Sequence, residues 1–236
     1  NLQKIKEDLY QSGIEYLKLD KPPLIDDFFD NIHQWINGRN LNDFRVHLIN
    51  KLTRDISLPP KIYQLAKSHI HWIVGNELAM QRSCNLSIQI PQDSSSLLPL
   101  HSDVWSGNSP YEIVLWFPFV NCYRTKSMFV LPKYETDRIT SHFSDYASMN
   151  AEDLFHQIQD QLHWLEVPYG HGVIFTHALL HGNRINEEDQ TRWALNIRFK
   201  ALLSPYGDKE LGESFIPVTI RPMTRMGYHY KKTTLQ

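Results

Sequence analysis

The chain has 236 residues, a formal net charge of −2 and 21% charged residues, a balance that offers no basic stripe for nucleic acid or anionic lipid. Its two cysteines, Cys84 and Cys122, form neither a disulfide framework nor a zinc motif and read as buried free thiols of a reducing, cytoplasmic setting. No apolar run approaches the roughly 18–20 residues of a membrane span, the charged start does not read as a signal peptide, and the length allows a single domain with a sizeable core.

Residues 1–83 are predicted to form a helical region packed on the core. Phe28, Phe29, Ile32, Trp35 and Ile36 keep i, i+3, i+4 spacing, and Phe44, Leu48, Ile49 and Leu52 repeat it, which predicts two amphipathic helices. His47 falls off the second stripe and is expected in solvent. Pro59-Pro60 is expected to break the chain before a segment over 62–78.

From residue 84 the period changes from helical to alternating. Leu86, Ile88 and Ile90 alternate with Ser87 and Gln89, a strand pattern. Further extended runs are expected at 97–104, 113–120, 127–131, 165–167, 172–180 and 193–202. Residues 133–164 read as an insertion containing a helix that Asn150 caps, with Asp153 three residues on; it either covers a barrel mouth or packs outside it. The fold class is mainly β with flanking helices, a jelly roll over 84–203. Residues 204–236 form a C-terminal extension with a strand at 215–220 and a basic end.

The chemistry gathers at Leu98-Pro99-Leu100-His101-Ser102-Asp103 and at His181-Gly182-Asn183. In an extended segment, residues two apart share a face, so His101 and Asp103 point together. A second imidazole from His181 completes two histidines and a carboxylate, the set that binds non-haem Fe(II) with open positions. His177 is the rival, expected about 13 Å further along the same strand face. Arg192, eleven residues after His181, can hold a carboxylate as a bidentate pair. Arg198 shares its face about 20 Å away and reads as a structural salt bridge or a substrate contact. Asn85, Ser87, Trp105, Asn183 and Asn196 are further candidates for a polar substrate wall.

The segments around His101 to Gly107, Val114 to Pro118, Lys126 to Pro132 and His181 to Asn183 resemble the Fe(II)/2-oxoglutarate-dependent dioxygenases of the phytanoyl-CoA hydroxylase type. They are similar in particular to the oxygenases of bacterial carbohydrate and aminoglycoside biosynthetic clusters. The resemblance covers roughly 84–200 and implies a double-stranded β-helix. It also implies iron on His101, Asp103 and His181, with Arg192 on the distal carboxylate of 2-oxoglutarate and Trp116 beside that co-substrate. O2 would then hydroxylate or desaturate a small polar substrate, a sugar or sugar derivative, with release of succinate and CO2. The family's usual glycine after the central strand is here Ser127, and the carboxylate of Asp103 argues against halogenation. A homodimer through the N-terminal helices is compatible with this pattern. Two other readings remain: a cupin-like isomerase or dioxygenase that needs no Arg192, and a non-enzymatic carbohydrate-binding jelly roll.

Overall fold

Five helices open the chain: α1 (Leu2–Leu17), α2 (Ile25–Asn31), α3 (Leu41–Arg54), α4 (Leu58–Leu65) and α5 (Lys67–Val74). The structure is a computed structural model that describes residues 2–55 and 57–229, and no helix in it is long and apolar enough to cross a membrane. Ile5 and Leu9 of α1, Phe28 and Phe29 of α2 and Phe44, Leu48 and Leu52 of α3 are buried, as the apolar spacing requires. Pro59 and Pro60 do not interrupt a helix. They lie in the first turn of α4, where a missing N–H leaves no bond unmade. His47 is half-buried, its ring 4.8 Å from that of Tyr16, and so not in solvent: α1 packs along this side of α3.

The strands are β1 (Leu78–Gln81), β2 (Asn85–Gln89), β3 (Glu112–Pro118), β4 (Phe129–Val130), β5 (His163–Trp164), β6 (Val173–Thr176), β7 (His181–Gly182), β8 (Arg192–Ala201) and β9 (Phe215–Thr219). They form two antiparallel sheets. The larger runs β6-β3-β8-β1-β9, with β2 also paired to β8; the smaller runs β5-β4-β7. Strand β8 is the axis, with β3 along one edge and β2 and β1 end to end along the other.

The alternation of β8 divides the molecule. Trp193, Leu195, Ile197 and Phe199 are buried, and the Trp193 ring meets those of Phe28, Phe29 and Phe44 at 4.7 to 6.1 Å. Burying each large apolar side chain contributes roughly 1.5–3 kcal/mol, so the N-terminal helices are fastened to this face. The opposite side chains, Arg192, Asn196 and Arg198, line a cavity.

Several boundaries differ from expectation. Strands β1 and β9 belong to the larger sheet although both lie outside 84–203. Leu78, Ala79 and Met80 are all buried, so no alternation separates β1 from the helical residues before it. The run expected at 97–104 is a single bridge at His101 followed by a 3-10 turn over Asp103–Ser106. At 165–167, Val167 bridges to Cys122 while the ladder itself is β5. The strand expected to reach 180 stops at Thr176.

In the insertion, α6 (Lys133–Ser141) precedes α7 (Ala151–Ile158), and Asn150 and Asp153 form a reciprocal capping box. Ile139, Leu154, Phe155, Ile158 and Leu162 join Leu100, Phe129, Leu131 and Leu180 in a second apolar core. None of residues 133–164 lines the cavity; the insertion is held to the smaller sheet through this second core. Cys84 and Cys122 are buried and unpaired, and burial pushes each thiol pKa up to about 11, which leaves both protonated at neutral pH. Helix α8 (Pro222–Tyr228) follows β9; the basic end expected beyond it lies outside the described residues.

Candidate metal centre and its cavity

His101 and His181 face each other across an antiparallel bridge in which each backbone N–H donates to the other's carbonyl at 2.9 Å. Directly opposed residues project to the same side, and the two imidazole centroids lie 4.3 Å apart. The ladder does not continue past this bridge: the Asp103 N–H donates to the His177 carbonyl at 3.1 Å, and the turn that begins at Asp103 still leaves its Oδ1 3.4 Å from His101 Nε2. A side chain at Gly182 would collide with the Leu98 carbonyl at 2.8 Å and with Phe129 at 2.9 Å. Glycine therefore lets the 98–101 segment lie against β7.

The ligand atoms of His101, Asp103 and His181 all lie within 4.8 Å of one another, and this is the one such group among the described residues. Nδ1 of His101 lies 2.7 Å from the Pro99 carbonyl, and Nδ1 of His181 lies 2.8 Å from that of Leu179. A carbonyl only accepts, so each Nδ1 carries the hydrogen and each Nε2 presents its lone pair. Those Nε2 atoms approach different oxygens of Asp103, His101 at 3.4 Å from Oδ1 and His181 at 4.0 Å from Oδ2. Burial, with His101 beside it, lowers the His181 pKa to about 4; at neutral pH that imidazole is uncharged and able to ligate. Burial opposes charge on Asp103, but His101, Arg198 and His181 outweigh it and hold the carboxyl well below its usual range. Two imidazoles and one carboxylate, ordered through backbone carbonyls, fit a divalent transition metal.

His177 is not where a continuous strand would put it. The chain turns after Thr176, with the Leu179 N–H donating back to it at 3.1 Å, and His177 is drawn inside behind Asp103. Its Nε2 bonds the Ser109 carbonyl at 2.7 Å, and its Nδ1 lies 3.6 Å from Asp103 Oδ2 and 3.7 Å from Glu112 Oε2. Arg198 joins this group: Nη2 donates to Asp103 Oδ2 at 2.8 Å, and Nε stands 3.9 Å from Glu112 Oε2. Of the two sequence readings of Arg198, the geometry realises the salt bridge.

Removing that guanidinium would leave the buried Glu112 carboxylate and the half-buried Asp103 without their cation, so Arg198→Met should cost up to roughly 3–5 kcal/mol. The wild-type Asp103 carboxyl is depressed in the fold, so its contribution is full above the ordinary carboxylate range and lost as pH falls below it. The difference in Tm between variant and wild type should therefore be largest near neutrality and shrink below about pH 4, a trend followed by thermal denaturation across pH.

The cavity measures about 390 Å³ and lies between the two sheets. His101, Asp103 and His181 line it together with Trp116, Asn85, Ser87, Asn183, Arg192, Asn196 and Arg198. Trp105 does not; it is 44% exposed, with its ring 5.2 Å from that of Phe143. Asn183 accepts from the Leu98 N–H at 2.6 Å and donates to the Ser96 carbonyl at 3.2 Å, so its amide braces the 95–98 loop. Asn85 and Asn196 bond one another at 2.8 Å. Sequence reading missed Arg45, Met128, Phe175 and the 95–98 loop. Arg45 lies on the polar side of α3, where nothing in the local pattern distinguishes a cavity wall from solvent.

Arg192 is only 3% exposed. Nη1 donates to the Ser127 carbonyl and Nη2 to Ser87 Oγ, both at 2.8 Å, while Nε has no partner. Among the described residues no carboxylate lies within ion-pair distance of it. Burial lowers its pKa to about 10, still far above neutrality. A fully charged guanidinium thus stands buried without an anion.

Two antiparallel sheets flanked by helices, around a His-Asp-His cluster, define the class of fold. It is similar to the folds of two solved non-haem enzymes. The non-haem α-ketoglutarate-dependent carbocyclase SnoK of nogalamycin biosynthesis superposes with a TM-score of 0.50 at 15% identity, over 72% of this chain and 74% of that one. The apo form of the non-haem monooxygenase ThoJ superposes with a TM-score of 0.50 at 14% identity, over 93% and 78%. HygX from Streptomyces hygroscopicus, with nickel and 2-oxoglutarate bound, gives 0.47 at 13% identity, over 72% and 81%. No family model and no curated protein sequence matches the chain.

Proposed function

We propose that this chain is a non-haem Fe(II)/2-oxoglutarate-dependent oxygenase that hydroxylates or desaturates a small polar molecule, a sugar or sugar derivative. The observation that carries the reading is Arg192, a buried guanidinium lacking an anion in the same cavity as the three ligand atoms. An uncompensated buried charge is costly unless a ligand pairs with it. A structural or carbohydrate-binding jelly roll has no use for it, and neither does a cupin-like enzyme that works without a dicarboxylate.

In this reading His101, Asp103 and His181 hold iron through the two Nε2 atoms and a carboxylate oxygen. Arg192 receives the distal carboxylate of 2-oxoglutarate, and Trp116, 3% exposed, forms the apolar wall beside it. Bound iron with the oxo acid and O2 would supply oxidative decarboxylation to succinate and CO2, coupled to oxidation of a substrate C–H bond. The backbone carbonyls of Pro99 and Leu179 keep both imidazoles in the ligating tautomer, and Arg198 fixes the second oxygen of Asp103. Asn85, Asn196, Ser95 and Ser96 offer donors and acceptors to a polar substrate. The double-stranded β-helix topology, with β1 and β9 added to the core expected over 84–203, and a cytoplasmic setting belong to the same proposal.

Anaerobic titration of the Fe(II)-loaded protein with 2-oxoglutarate tests it. A weak visible charge-transfer band that saturates with 2-oxoglutarate is expected. Iron retention without any such band would point to a cupin-like protein, and failure to retain iron to a binding domain.

A further inference from the structure

The charges lining the cavity are unequal. Arg45, Arg192 and Arg198 contribute three guanidiniums, and Asp103 is the sole carboxylate among the described lining residues. Arg198 is spent on Asp103 at 2.8 Å, and Arg192 is assigned to 2-oxoglutarate. A divalent metal and a dianionic co-substrate offset one another, so loading the site leaves the excess positive charge in place. Arg45 is the remaining cation. It comes from α3, which packs on β2 beside Asn85 and Ser87. Its guanidinium donates to the neutral Asn42 amide at 2.7 Å, and no carboxylate among the described residues lies within 4.0 Å of it.

We infer that the substrate is an anion, a sugar acid or sugar phosphate in the class already proposed, with its carboxylate or phosphate group held by Arg45. This rests on the oxygenase reading and narrows it. An amino sugar would bring ammonium groups into a cavity whose one carboxylate is committed to the metal. It would meet like charge from Arg45 with no acceptor carboxylate in return, so cationic sugars are excluded by electrostatics although they are similar in size and hydroxyl pattern. The N-terminal helical region then has a role beyond covering the large sheet, because it supplies the cation that reads the substrate's charge.

Binding of D-glucuronate, D-glucose 6-phosphate, D-glucose and D-glucosamine to the Ni(II)-loaded, 2-oxoglutarate-saturated protein, followed by calorimetry, tests the inference without turnover. One or both anionic sugars should bind at least about tenfold more tightly than the other two, the scale of one charge-assisted hydrogen bond. That preference should fall about tenfold in Arg45→Gln, recover in part in Arg45→Lys, and weaken with added salt. The carboxylate and phosphate arms show which anion fits. Equal or absent binding of all four sugars, tighter binding of glucosamine, or a preference untouched in Arg45→Gln would overturn the inference. The 2-oxoglutarate band of the Fe(II) protein is read on the same preparation. A normal band with no anionic preference defeats only this inference, whereas a missing band defeats the oxygenase reading beneath it.

Discussion

His101→Ala should yield a folded protein that no longer retains Fe(II), whereas Asp103→Ala should lose both the metal and part of its stability. The two ligands differ in what stands behind them. The His101 side chain is 24% exposed and its Nδ1 bonds a backbone carbonyl of its own turn, so truncation leaves no buried charge unpaired. Asp103 is the hydrogen-bonded partner of Arg198, itself 8% exposed, and its removal leaves that guanidinium only Glu112 at 3.9 Å, so the cost should reach at most the roughly 3–5 kcal/mol of a broken buried pair. Loss of one of three ligands should exceed the roughly 10–100-fold that outer-shell changes cost in metal affinity. Metal content after dialysis and Tm of the metal-free proteins separate the two effects. Iron bound by both variants with wild-type affinity would remove the triad as the metal site.

The period-two spacing of His-x-Asp predicted that His101 and Asp103 come together, and the strand-end position beside Gly182 and the family resemblance added His181. The structure does gather the three ligand atoms, but through a cross-strand bridge and a turn that no local pattern showed. The period-two rule misplaced His177, since it assumed a strand running unbroken to residue 180. The turn after Thr176 rotates His177 into the interior, within 3.6 Å of Asp103, where a straight strand would have carried it away. Arg198 was ambiguous for the same reason: the pairing partner of a buried arginine is a tertiary fact. Strand β1 was lost because burial on both faces erases alternation, and Arg45 because helix amphipathicity reports which residues avoid water, not which exposed face closes a cavity. Trp105 shows the opposite failure: it is near the metal motif in sequence, but the 3-10 turn at Asp103–Ser106 carries it to the surface, out of the cavity lining.

The largest effect on the co-substrate is expected from Arg192→Leu, and its signature is a pair of opposite signs. Two charge-assisted hydrogen bonds to one carboxylate are lost together, so 2-oxoglutarate should bind about 10²–10³-fold more weakly and the visible band of the Fe(II) protein should vanish at ordinary concentrations. The ligand-free protein should behave in the reverse sense. Arg192 is fully charged, has no carboxylate beside it among the described residues, and its Nε is unpartnered there. The pKa lowered by burial to about 10 means that the fold disfavours the charged form. For a base, that cost is present at every pH below the folded pKa and disappears only as pH rises through it. At neutral pH leucine therefore removes a buried charge while losing bonds to Ser127 and Ser87, and similar exchanges are neutral or stabilising elsewhere. The Tm of the ligand-free variant should equal or exceed that of the wild type, while the rise in Tm that 2-oxoglutarate gives the metal-loaded wild type should be absent. A marked loss of ligand-free stability would make Arg192 a structural residue, whatever happened to activity. Unchanged 2-oxoglutarate affinity would move the carboxylate to another cation of the cavity, Arg45 first.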